Sequence, residues 1–245
     1  MKKIIALIPA RLESTRLPKK LLKDLYGRTV LRRTYEAVQA SQLFDEVFVV
    51  CDHEDLSREV ASFEGQFIMS IAEHESGSDR IAEAAKKLDA DIIVNIQGDE
   101  PFISKEALQQ VIRLFDRPEV EVGTLYLRID DPEKIANPSC VKVVMDQQGR
   151  ALYFSRAAIP FSRDHGLPLQ AFQHVGVYAF RKETLLRFAS LPVSGLEQIE
   201  KLENLRLLEN GIPVHLAPVE HVGLSIDTQE DYEKALILLS DRSSG

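Results

Sequence analysis

The sequence predicts an α/β protein, a doubly wound and mostly parallel sheet carrying an antiparallel insertion, and three observations lead there. Short runs of apolar residues alternate with helix-period stretches over the first 120 positions. The rhythm changes from about residue 123, where strand-like segments follow one another without long helices between them. It then returns to helix and strand before the C-terminus.

Residues 4–8, Ile-Ile-Ala-Leu-Ile, form a buried opening strand that Pro9 and Arg11 close. A polar loop precedes a helix at about 30–40, a second strand at 47–50 and a helix around 55–63. Ile92, Ile93, Val94 and Ile96 mark the next buried strand. Ser104 can then cap a helix whose apolar face is Ala107, Leu108, Val111, Ile112 and Phe115. Strand-like runs at 122–129, 141–145, 151–154 and 175–180 make up the insertion, at about 123–190, with residues 146–149 as a turn between two of them. Ser194 and Glu197 have capping-box spacing at the head of the next helix. A strand at 214–219 and a helix starting after Thr228 complete a single domain spanning 1–245.

Composition removes whole classes of function. Thirty basic against 38 acidic side chains leave a net charge of −8, which excludes generic nucleic-acid binding by charge. With 44% hydrophobic and 28% charged residues the chain is neither disordered nor collagen-like. Its two cysteines, Cys51 and Cys140, lack a Cys-x-x-Cys partner, so neither a thiol metal site nor a disulfide framework is expected. The apolar run at 4–8 is too short for a signal peptide, and no stretch approaches the roughly 18 apolar residues of a membrane helix. A reducing, cytoplasmic setting without membrane insertion is the expectation.

Ligands of open α/β sheets bind beyond the carboxyl ends of the strands, so the loops after strands carry the functional reading. The first, residues 9–20, holds Arg11, Arg16, Lys19 and Lys20 with the hydroxyls of Ser14 and Thr15 in an otherwise acidic chain. Forked guanidiniums, ammoniums and hydroxyls suit a triphosphate and the charge on a leaving pyrophosphate; the plainer alternative is a solvated basic loop. The first glycine is Gly27, so neither a Gly-x-Gly-x-x-Gly turn nor a P-loop can follow the first strand, and side chains must replace a backbone cradle.

In Gln97-Gly98-Asp99-Glu100-Pro101, Asp99 would project from a strand end, with Gly98 allowing close backbone approach. A carboxylate beside a phosphate loop suits a bridging hard cation, since Mg²⁺ takes one or two carboxylates plus phosphate oxygens. A turn or helix-start carboxylate is the alternative. Near the C-terminus, helix chemistry accounts for Thr228, Glu230 and Asp231 and leaves Asp227 over as a second candidate ligand. In residues 74–80 the hydroxyls, Gly77 and Arg80 suit a base, ribose or phosphate, or equally a helix start capped by Ser78. Ser155-Arg156 ends a strand, and the even spacing of His174 and Tyr178 puts both on one strand face, where they could hold an anionic sugar or simply pack.

These segments occur together in order: Ile8-Pro9-Ala10-Arg11, Ser14-Thr15-Arg16-Leu17-Pro18 and Lys20; His74, Ser76-Gly77-Ser78 and Arg80; residues 97–101; residues 151–156; His174, Gly176 and Tyr178; Asp227-Thr228. The combination resembles the CMP-KDO synthetases, or 3-deoxy-manno-octulosonate cytidylyltransferases, over nearly the whole chain. The resemblance implies a nucleotide-diphospho-sugar transferase-like fold and a cytoplasmic, Mg²⁺-dependent homodimer. It implies an enzyme that joins CTP to the acid sugar KDO, yielding CMP-KDO and pyrophosphate for lipopolysaccharide assembly. It assigns Arg11, Lys20, Asp99 and Asp227 to catalysis, with Asp99 and Asp227 holding metal. Ala10, Arg11, Ser14, Lys20, Ala72, Ser76, Gly77, Arg80 and Gln97 would contact the nucleotide, and Gln97, Arg156, His174, Tyr178 and Glu197 the sugar. Dimerisation would use the antiparallel insertion. The chain departs from the family pattern at Lys19, where glycine is usual, and at Ile71, Gln173, Ser225 and Gln229.

Overall fold

The computed structural model describes residues 2–72, 74, 77–163 and 170–243. They form two compact units, Met1–Leu108 with Gly223–Gly245, and Gln109–Val222.

The first unit is built on a parallel sheet ordered β3-β2-β1-β4, with β1 Ile4–Ala10, β2 Glu46–Cys51, β3 Phe67–Met69 and β4 Ile92–Asn95. Strand β1 is central, and Ile5, Ala6, Leu7, Ile8 and Ala10 are completely buried. That is why it reads as one continuous apolar run rather than an alternating one. Its register pairs Ile8 with Val49 of β2 and Ala6 with Val94 of β4. The helices begin where the sequence supplies caps. Thr29 accepts from the Arg32 amide to start α1, Val30–Ala40, and His53 accepts from the Asp55 amide to start α2, Glu54–Ser62. Helix α3, Gly77–Ala85, buries Ile81, Ala82, Ala84 and Ala85. Helix α4, Lys105–Arg113, starts at Ser104, which accepts from the Ala107 amide. The C-terminal helix, Gln229–Ser243, is held by a reciprocal pair in which the Asp231 amide donates to Thr228 and the Thr228 amide donates to Asp231. Because all four strands run the same way, the loops after β1, β2 and β4 leave from one edge of this sheet.

In the second unit β5, Val122–Ile129, runs antiparallel to β8, Ala171–Arg181, and parallel to β9, Val214–Val219. The hairpin of β6, Lys142–Met145, and β7, Ala151–Ser155, joins through β6 to β8. It turns at residues 146–149, where the Gly149 amide donates to the Asp146 carbonyl and Gly149 sits at φ +74°. The antiparallel strands expected between about 123 and 190 all lie in this unit. It also holds α5 Pro132–Ala136, α6 Lys182–Ser190, α7 Gly195–Glu200 and α8 Asn204–Glu209. Two strand features exceed the sequence reading. Strand β3 is only three residues long, with Phe67 and Met69 substantially exposed, and β8 begins four residues before the expected start at 175.

Candidate active site

The loop after β1 is pinned by two leucines, Leu12 at 7% and Leu17 at 3% exposure, and by the Leu12 amide, which donates to Asp52 at 3.0 Å. Arg11, immediately before the first of these anchors, is exposed and lines a cavity of about 450 Å³ together with Asp52, Ser70, Ala72, His74 and Arg80. The loop then turns into a short 3-10 helix, Lys20–Leu22, through Lys19 at φ +50°.

Lys20 is where the strand-end loops meet. Its ammonium lies 2.5 Å from Asp99 Oδ2 and 2.8 Å from Asp227 Oδ1, and Arg16 Nη2 stands 3.3 Å from the same Asp227 oxygen. Burial opposes a charge on Lys20, but the charges and hydrogen bonds of Asp99 and Asp227 outweigh it and hold the pKa above the ordinary lysine value. The group is therefore a fixed positive charge rather than a proton acceptor.

Two close approaches bring the carboxylates there. A Cβ on Gly98 would stand 3.2 Å from the Pro9 carbonyl oxygen and from Leu21, and one on Gly223 would stand 2.4 Å from the Phe102 carbonyl oxygen. Only glycine lets residues 225–227 run this close to residues 99–102. The Ile226 amide then donates to the Asp99 carbonyl at 3.0 Å, and Thr34 of α1 donates to the Gly98 carbonyl at 2.9 Å. Next to Asp99, burial and then the Asp99 charge push the Glu100 carboxyl up to about 8, against a hydrogen bond from Ser225. Glu100 thus stays largely protonated near neutrality and adds little negative charge to the pair.

Asp99 and Asp227 converge on one cation, which is the donor set a hard divalent ion sharing its shell with phosphate oxygens requires. Among the described residues no group of three or more His, Cys, Asp or Glu side chains is arranged to hold a metal. The two aspartates fit Mg²⁺ that shares its shell with nucleotide oxygens.

The remaining nucleotide candidates surround the same cavity and strand ends. Ala10 closes β1 and is fully buried. Gly77 packs against Pro9, with a virtual Cβ 3.4 Å from the proline and 3.6 Å from Gln97 Oε1, so Gln97, Gly77 and Pro9 meet. Arg80 is 3% exposed; one guanidinium nitrogen lies 3.4 Å from Asp52 Oδ2, while Nε and Nη1 are buried without a partner. Ser14 is half-buried in the first loop. Ser76 lies outside the described residues. Asp52 and Glu83 were missed by sequence reasoning. Asp52 follows β2 as Asp99 follows β4, so the rule that singled out one strand-end carboxylate applies equally to the other. Glu83 accepts from Ser70 Oγ and the Ile71 amide and pairs with His74. Burial would raise its pKa, yet these bonds take it down to about 2.

The sugar candidates of the second unit are enclosed in their own contacts. The Arg156 guanidinium donates to the carbonyls of Glu200, Pro138 and Lys201. The His174 ring packs against Phe154 and Tyr178 at centroid distances of 5.1 and 5.3 Å, and its Nε2 is 3.0 Å from Thr124 Oγ1. Burial lowers the His174 pKa to about 3, so it is neutral in the fold. Burial, reinforced by Glu203, pushes the Tyr178 phenol up. Glu197 takes two bonds from Arg206, at 2.6 and 2.8 Å, and one from the Ser194 amide. Tyr178 is also hydrogen-bonded to Asn204 and Thr124, while Gln173 Oε1 is buried without a hydrogen-bond partner. Such an orphan is uncommon. Asn204 carried no sequence signal, because it reads as an ordinary polar position in a helix.

Comparison with known proteins adds independent findings. Residues 5–220 match the family described as Cytidylyltransferase. The chain is 52% identical to the 3-deoxy-manno-octulosonate cytidylyltransferase of Flavobacterium johnsoniae, over 98% of this chain and 99% of that one. It is 46% identical to the protein of the same name from Christiangramia forsetii, over 97% of each. Among solved structures it is similar to a CMP:2-keto-3-deoxy-manno-octonic acid synthetase complexed with CTP, with a TM-score of 0.93 and 38% identity over 98% of this chain and 99% of that one.

Proposed function

The chain belongs to the 3-deoxy-manno-octulosonate cytidylyltransferase family, and from that premise we propose that it couples CTP to KDO, giving CMP-KDO and pyrophosphate for lipopolysaccharide assembly. The observation that carries this reading is the meeting of Lys20, Asp99 and Asp227 beside the cationic loop that follows β1.

In the proposed reaction the anomeric hydroxyl of KDO attacks the α-phosphorus of CTP in line. A new O–P bond forms, the bond between the α-phosphorus and the bridging oxygen breaks, the hydroxyl proton is released and pyrophosphate departs. No protein nucleophile takes part. Arg11 and Lys20 would bind the phosphates and offset charge accumulating on the leaving group, with Ser14 as a further donor. Asp99 and Asp227 would hold Mg²⁺. When bound, the ion would neutralise phosphate charge and lower the pKa of the attacking hydroxyl. Ala72, Ser76, Gly77, Arg80 and Gln97 would take the rest of the nucleotide. Gln97, Arg156, His174, Tyr178 and Glu197 would serve the acid sugar. A cytoplasmic location and a homodimer complete the reading. For the dimer, Leu152 and Ile199 support an interface on the second unit, being 61% and 80% exposed.

A pyrophosphate-release assay tests it. Release is expected with CTP, Mg²⁺ and KDO together, and not when ATP, GTP or UTP replaces CTP or sialic acid replaces KDO. Arg11→Ala and Lys20→Ala should each lower kcat/KM by about a hundredfold or more, the scale for losing one charge-stabilising donor. Asp99→Asn should raise the Mg²⁺ concentration needed for half-maximal rate. Wild-type behaviour of all three variants, or turnover with sialic acid alone, would overturn the reading.

A further inference from the structure

One carboxylate organises a whole wall of the cavity beside the first loop. Glu83, on α3, receives Ser70 Oγ at 2.8 Å and the Ile71 amide at 2.9 Å, and its Oε2 lies 2.6 Å from His74 Nε2. All three partners line the cavity. Helix α3 is itself locked by the burial of Ile81, Ala82, Ala84 and Ala85, so Glu83 is a rigid post to which the segment is tied. With its amide bound to Glu83, Ile71 is left with an 82% exposed side chain at this cavity. A bulky apolar side chain standing in water on a fixed backbone is a surface that gains by being covered. The same cavity is lined by Arg80, which is 97% out of solvent and keeps two guanidinium nitrogens, Nε and Nη1, without an acceptor. A ligand that answers both needs has a flat apolar face and hydrogen-bond acceptors on its rim, which describes a nucleobase.

We infer that Glu83 is a positioning residue for nucleotide recognition: by tying down Ser70, Ile71 and His74 it holds Ile71 against the face of the bound base. The inference rests on reading this cavity as the nucleotide site and adds a residue and an apolar contact to it. Glu83 acts through the wall and touches no reacting atom. It governs affinity for the base and leaves the hold on the phosphates unchanged.

Calorimetric titration of the intact protein with CTP and, separately, with inorganic tripolyphosphate, both in Mg²⁺, separates the two contributions. Glu83→Ala should weaken CTP binding about tenfold, the scale for losing hydrogen bonds to a charged group, with tripolyphosphate affinity unchanged. Glu83→Gln, which keeps an acceptor for the Ile71 amide, should recover part of that loss. Because Ile71 is exposed, Ile71→Ser leaves folding intact; it should weaken CTP binding severalfold while Ile71→Leu does not. In steady state the loss should fall on KM for CTP, with kcat within about twofold of wild type, a split that general destabilisation does not produce. Equal losses for CTP and tripolyphosphate in the Glu83 variants, or unaltered CTP affinity in Ile71→Ser, would overturn the inference. If Arg11→Ala left both affinities unchanged, the nucleotide-site reading itself would fall, and this inference with it.

Discussion

Lys20 bridges Asp99 and Asp227, and its charge is what allows the two aspartates to stand so close together. The neighbouring residue shows the cost of placing it there. Lys19 adopts a left-handed conformation, φ +50°, at a position where glycine is usual in the resembling family. Left-handed backbone costs an L-residue about 1–2 kcal/mol, and glycine gives back about 0.5–1 kcal/mol through its looser unfolded chain. Lys19→Gly should therefore raise stability by about 0.5–1 kcal/mol in urea unfolding, since the ion pair it loses among the described residues, to Asp55 at 3.9 Å, is exposed and weak. A decrease would show that the lysine side chain matters more than its backbone. The cationic loop and Asp99 were legible at this scale because each is local: charge density in twelve positions, and a carboxylate at a strand end. Apart from the family resemblance, Asp227 was legible only as a residue that helix capping left unexplained. Its contact with Lys20 spans 207 positions and follows from packing.

At the scale of elements, two of the sugar candidates also hold up the fold, and their removal should be visible without substrate. Glu197 forms a two-pronged, buried pair with Arg206, whose guanidinium also lies 4.6 Å from the Phe188 ring centroid. Glu197→Ala leaves that arginine buried and unpaired and should cost about 3–5 kcal/mol of stability, measured as a fall in the urea midpoint. A loss below about 1 kcal/mol would mean the pair is not buried in solution. Strand β8 carries the second case. Its pairing with β5 shifts register between Thr124 and Leu125, and the Thr124 hydroxyl fills the irregularity, within hydrogen-bond distance of the Val175 and Val177 carbonyls and His174. Burial keeps His174 neutral, with a folded pKa of about 3 against an ordinary 6.5. The unfolded chain binds a proton below about 6.5 and the folded chain only below about 3, so stability should fall as pH drops through that window by up to one proton's worth per pH unit. His174→Gln should flatten the pH dependence of the urea midpoint by that amount; an unchanged slope would mean the ring titrates freely. Even spacing put His174 and Tyr178 on one face, and their rings do lie together, but the irregularity between them and the extra turns of pairing before residue 175 left no mark in the periodicity.

For the whole molecule, the proposed homodimer makes the second unit more than a support for substrate residues. Leu152→Glu, placed on an exposed apolar position of β7, should convert a dimer into a monomer in sedimentation without lowering the thermal midpoint of the individual chain by more than a few degrees. A wild-type species that sediments as a monomer at micromolar concentration would remove the dimer from the reading.

The sequence by itself determined the order and type of the main elements, the caps at Ser104 and Thr228, the strand ends at which ligand chemistry collects, and the family. These are properties of neighbours along the chain, where hydrophobic period and capping chemistry act over a few residues. Only the tertiary structure decided which charges meet, that Lys20 bridges Asp99 and Asp227, that Glu100 is pushed toward its neutral form, and that Glu83 anchors the cavity wall. Pairing across long separations, and the burial that shifts a proton's affinity, depend on the fold closing around each group, and residue spacing does not encode that closure.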